Sequence, residues 1–89
     1  MRAVITVVGK DTVGILAKVS GICAEHNVNV SEVSQTILQD MFCMMMMCDI
    51  SKISVDFGSF ADKMAGLGKD MGLSIHVMHE DIFNSMHRI

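Results

Sequence analysis

A short β-branched run, Ala3-Val4-Ile5-Thr6-Val7-Val8, passes through a glycine-bracketed turn directly into residues with helical spacing, and nothing else in the sequence constrains the fold as much. Past the turn, Ile15, Leu16, Val19, Ile22 and Cys23 fall at i, i+1, i+4, i+7 and i+8, the apolar stripe of an amphipathic helix over residues 12–26. Between them lies Gly9-Lys10-Asp11-Thr12-Val13-Gly14, with Asp11 and Thr12 placed to cap the helix start. A strand that enters a helix this way presents free backbone N–H groups at the positive end of the helix dipole. That end suits a carboxylate or another small anion. The turn is not a phosphate loop. Its second glycine is followed by Ile15 and Leu16 where Lys and Ser or Thr are needed, and no G-x-G-x-x-G occurs.

The same patterning continues to the end of the chain. A more polar second strand over 28–38 carries Glu32, Ser34, Gln35 and Thr36, as an edge strand does, and Asn27 before it can end the helix in the left-handed conformation. Gln39-Asp40 makes a two-residue turn without glycine, and the third strand over 41–50 is apolar on both faces. Phe57, Phe60, Met64, Leu67 and Met71 mark a helix over 56–71 closed by Gly72, and the fourth strand over 73–79 alternates. Ile82, Phe83, Met86 and Ile89 add a short amphipathic helix. The order strand-helix-strand-strand-helix-strand is a split βαβ pattern. It predicts an α+β, ferredoxin-like βαββαβ fold over 1–79: a four-stranded antiparallel sheet with two helices on one face, followed by a helical tail over 80–89.

Eighty-nine residues make one domain, and so short a chain buries only roughly 60 to 65% of its unfolded surface. Yet 51% of the residues are hydrophobic and the mean hydropathy is +0.44, which favours association. Two helices cover one sheet face, so the methionine-rich third strand would leave a patch with Val4 or Ile5 on the other, and a homodimer is expected. Its geometry stays open between that sheet face and side-by-side pairing through the second strand. The longest apolar run, residues 41–48, is far short of the roughly 18 residues of a membrane span. Net charge is −3, with neither Trp nor Tyr and no basic cluster, so direct nucleic-acid binding is not expected. Met1-Arg2 leads straight into the first strand without a cleavage site, and the cysteines number three. Both point to a cytoplasmic chain with reduced thiols.

Asp11-Thr12-Val13-Gly14-Ile15-Leu16, the helix after it and Asn27-Val28-Asn29-Val30 together resemble the ACT domain over about residues 2–78. Val7-Val8-Gly9-Lys10-Asp11, Ser34-Gln35-Thr36 and Ile82-Phe83-x-x-Met86 look like small bacterial proteins made of one ACT domain alone, similar to the ACT modules of the glycine-cleavage regulator. The resemblance implies a ferredoxin-like fold, dimers, and an amino acid or similar effector at a subunit interface. On this reading Asp11, Val13, Gly14, Ile15, Leu16, Asn29 and Val30 bind the ligand, from one corner of the predicted fold. Asp11 fixes the loop or takes an ammonium, the N–H groups near Gly14 and Ile15 receive a carboxylate, and Asn27 or Asn29 adds an amide. Each also has a plainer role. Asp11 can be only a cap, Gly14 can serve close packing of the helix start, and Asn29 can end a strand.

No other pattern displaces this reading. His76 and His79 point to opposite faces of a strand, and Cys23-x-x-His26 lacks a second ligand pair, so zinc is not expected. Alternation puts Cys43, Met45 and Met47 on one face, where soft sulfur ligands would select Cu(I). A central strand covered on both faces needs the same hydrophobicity, and that packing role is preferred. No metal, cofactor or catalytic constellation is therefore assigned. The expectation is a non-enzymatic sensor of an amino acid or related metabolite, whose target protein is not named by the sequence. The alternative is a protein–protein module without a metabolite.

Overall fold

The computed structural model describes residues 1–86. The elements are β1 (Arg2–Lys10), α1 (Ile15–Glu25), β2 (Asn29–Leu38), β3 (Met41–Asp49), α2 (Phe57–Met71), β4 (Leu73–His79) and α3 (Glu80–Met86). The strands form one antiparallel sheet in the order β2-β3-β1-β4, so the apolar β1 is central and the polar β2 is an edge, as expected.

The pleat sorts the side chains. Ala3, Ile5 and Val7 of β1, Phe42, Met44, Met46 and Cys48 of β3, and Leu73 and Ile75 of β4 share one face and are buried. Ile15, Val19 and Cys23 of α1 and Phe60 and Met64 of α2 close over them, which places both long helices on that face. Gly68 brings α2 close to β4, since a Cβ there would stand 2.7 Å from the Leu73 carbonyl oxygen. α2 is bounded as its sequence implies. The Asp56 carboxylate accepts from the Ser59 N–H at 3.0 Å, and Gly72 at φ +72° ends the helix with its N–H aimed at the Gly68 and Lys69 carbonyls.

The opposite face is only partly covered. α3 packs against β1 and β4, the Arg2 guanidinium pairs with Glu80, and Val4 is fully buried at this corner. The expected patch is therefore smaller at that end, and Ile5 belongs to the core instead. Beyond α3, Met41 and Met45 remain 44% and 43% exposed. β2 also escapes cover. From the bulge between Val30 and Glu32 to the Gln39–Asp40 turn every residue is exposed, including Val33 and Ile37. Ile89, the last residue of the expected tail stripe, lies outside the described residues.

Candidate functional site

β1 runs two residues beyond its expected end, through Gly9, which faces Phe42 on one side and Leu73 on the other. The connection to α1 is thus only residues 11–14. The Asp11 N–H donates to the Asp40 carbonyl at 2.9 Å and ties the connection to the β2–β3 turn. α1 starts at Ile15, not residue 12, and its cap is Gly14 at φ +87°, ψ +10°, with no side chain capping it. The expected caps Asp11 and Thr12 are corrected accordingly. Both precede the cap residue, and an acceptor reaches the first-turn N–H groups only from the cap position. The first helical bond runs from the Lys18 N–H to the Gly14 carbonyl at 3.0 Å. The N–H groups at the head of α1 keep their anion-binding capacity, and no acidic side chain occupies the first turn to neutralise them.

A Cβ on Gly14 would meet nothing within 4 Å, so the glycine is needed for its left-handed backbone and not for close packing. Around it Val13 is 96% exposed and Leu16 41% exposed, while Ile15 is buried in the core. An uncapped positive helix end flanked by two open aliphatic side chains can hold a small anion that also carries an apolar part.

Asn29 and Val30 are not at this corner. Asn29 faces Asp49, which faces Arg2, at one end of the sheet, whereas Leu38, Met41 and Lys10 align at the other. The nine residues of β3 separate the two ends by about 27 Å. A single chain brings together Asp11, Val13, Gly14, Ile15 and Leu16 and leaves Asn29 and Val30 apart. The expectation of one corner fails because α1 carries the chain back along the sheet before β2 begins.

The Asn29 end has a cleft of its own, about 390 Å³, lined by Ala24, Asn27, Val28, Asn29, Asp49 and Lys52. Asn27, at φ +60°, donates its side-chain amide to the Lys52 carbonyl at 2.8 Å, so of the two candidate amides it is structural. Asp49 accepts from the Ser51 hydroxyl at 2.6 Å and the Ser51 N–H at 2.9 Å, which holds its carboxyl below the usual range. The sequence reading passed over Asp49 and Lys52. The available signal was Asp49-Ile50-Ser51, an Asx-type turn just past a strand.

The remaining polar groups of interest are absorbed into the packing. Cys23 of α1 and Cys48 of β3 meet in the core, where contact with Cys23 and burial push the Cys48 thiol far above its usual range. His79 stacks on Phe57 at 4.1 Å, and His26 meets Phe60 edge-on at 6.1 Å. Among the described residues, no three His, Cys, Asp or Glu side chains converge as a metal site, and no helix is long and apolar enough to cross a membrane.

The family model of the ACT domain matches residues 2–78. The chain belongs to the ACT domain family. This ACT domain is 53% identical to a UPF0237 protein of Listeria monocytogenes, over 100% of both chains. Its fold superimposes on an ACT domain protein from Streptococcus pneumoniae with a TM-score of 0.80, at 38% identity and 93% coverage of each chain. A putative glycine cleavage system transcriptional repressor shares the fold at a TM-score of 0.69, with 20% identity over 85% of this chain and 43% of that one.

Proposed function

We propose that this ACT domain is a cytosolic regulatory module that holds an amino acid or a related small metabolite between two copies of the chain. The observation that carries the proposal is the uncapped head of α1 at a left-handed Gly14. The N–H groups of Ile15 and Leu16 receive the effector's carboxylate, Asp11 takes its ammonium, and Val13 and Leu16 wall its side chain.

The separation of Asn29 and Val30 fits a two-fold assembly. Pairing of the exposed β2 edges of two copies is antiparallel, so the head of α1 in one subunit comes alongside Asn29 and Val30 of the partner subunit. Side-by-side pairing also covers Val33 and Ile37, which no helix shelters. The module regulates a separate target protein and performs no reaction itself.

Thermal-shift screening against the twenty amino acids tests the reading. An effector at about one hundred times its Kd adds about 2.7 kcal/mol to dimer stability, a shift of several degrees. If none of them raises Tm, even at high concentration, the sensor reading is lost. A dimer that ignores every amino acid but captures a partner protein through the Val13 end supports the alternative docking module. The exposure of Val13 favours that second reading.

A further inference from the structure

The sheet face turned away from α1 and α2 is covered at one end and bare at the other. On β1 that face reads Arg2, Val4, Thr6, Val8, Lys10, alternating with the core residues Ala3, Ile5 and Val7. The order basic, Val, Thr, Val, basic is the same from either end. β3 follows it, with Met47 beside Val4, Met45 beside Thr6 and Cys43 beside Val8. At the Val4 end α3 packs on the face, Arg2 pairs with Glu80, and Val4 is 0% exposed. At the Val8 end, among the described residues, no element does the same. Val8, Met41 and Met45 are 43–44% exposed there, and Lys10 makes no ion pair within the described residues.

We propose that the Val8 end of this face is a docking surface for α3 of a second copy of the chain. α3 has seven residues and is about 10 Å long, whereas β1 runs about 27 Å from Arg2 to Lys10, so one α3 covers only about half of the face. Its own sheet uses only part of its apolar surface. Ile82 and Met86, four residues apart on one stripe, are 52% and 65% exposed. A two-fold axis between two such faces, running across the strands at Thr6, sets the Val4 end of each over the Val8 end of the other. Each α3 is then held between its own Val4 end and the partner subunit's Val8 end.

Charge fits the same arrangement. Glu80 is taken by Arg2 of its own chain, while Asp81 beside it is exposed and comes to Lys10 of the partner subunit. The groove at the middle of the face, about 280 Å³ and walled by Val8, Cys43 and Met45 among others, has eight lining residues, all uncharged. A second copy therefore desolvates no charge there. The contact leaves the β2 edge free, so it neither needs the side-by-side pair nor replaces it. Two short helices make an interface of the transient class, below roughly 1,200 Å², which forms at higher concentration than a larger one.

Sedimentation equilibrium from roughly 10 μM to 1 mM tests the contact. Wild type is expected to double its mass over that range, from about twice to about four times 9.7 kDa. In Ile37→Lys, which parts the β2 edges, the mass doubles from about 9.7 kDa, so failure of this contact is separate from failure of the β2 interface. Lys10→Glu and Asp81→Lys each weaken the doubling by roughly tenfold, and the two together restore it. Lys18→Glu, on α1, leaves it unchanged. Circular dichroism verifies each fold. Alkylation of Cys43 slows as the mass doubles. A mass that does not rise with concentration in either background overturns the inference. So does doubling without protection of Cys43, which would place the association elsewhere, or a charge swap that restores nothing.

Discussion

Gly14 adopts φ +87° with open space where a Cβ would stand. A left-handed backbone costs a non-glycine residue about 1–2 kcal/mol, so Gly14→Ala should lose that much stability in urea denaturation although the added methyl touches nothing. Gly14→Val adds β-branching to the same strain, and in the proposed site it should also abolish effector binding. A folded Gly14→Val dimer with unchanged affinity would remove the site from this corner. Gln39 holds φ +60° in the β2–β3 turn without the freedom of glycine. Gln39→Gly should therefore stabilise the chain by about 0.5–1 kcal/mol, read as a higher denaturation midpoint.

The two long helices differ at their heads: a side chain caps α2 and none caps α1. α2 starts on Asp56, whose carboxylate is held below the usual range by the Ser59 hydroxyl and N–H. A carboxyl with a depressed folded pKa stabilises the protein above its unfolded value near 4, and that contribution is lost as pH falls through the folded pKa. Asp49 behaves alike through Ser51. Thermal scans from pH 6 down should show Tm falling below about pH 4, and Asp56→Asn should flatten that limb. The head of α1 has no such side-chain cap, so its first-turn N–H groups remain free to meet a ligand in the proposed site. At the other end of α2, Gly68 meets β4, and Gly68→Ala forces a Cβ to 2.7 Å from a backbone carbonyl that cannot swing aside. A loss of about 2 kcal/mol is expected, whereas the open, mid-helix Gly66→Ala should gain about 0.5–1 kcal/mol.

At the scale of the molecule, the proposed two-fold assembly rests on the uncovered β2 edge. β2 presents ten residues of edge strand, with Val33, Ile37 and Leu38 44–64% exposed, and a bare edge of this kind invites pairing. Sedimentation equilibrium at micromolar concentration should give about twice 9.7 kDa. Ile37→Lys on the exposed strand should shift the species toward monomer while secondary structure persists. A well-folded wild-type monomer at that concentration would sink the interface proposal, and with it the composite site.

Element order, the edge position of β2, the Asp56 and Gly72 ends of α2 and the shared face of Cys43, Met45 and Met47 were all legible in the sequence. Each depends on periodicity or on residues within one turn of one another, and such local rules survive folding unchanged. The head of α1 was misplaced because Asp11 and Gly14 both satisfy local capping preferences, and the choice fell to the strand ladder that draws β1 out to Lys10. The distance between Gly14 and Asn29, the cover over Val4 and the open half of the methionine strand were not legible. All three follow from which strands pair, in what register, and where the chain's few helices run out of sheet to cover. Those are long-range decisions made by tertiary packing, and they place Asn29 a full strand length from the loop it was expected to join.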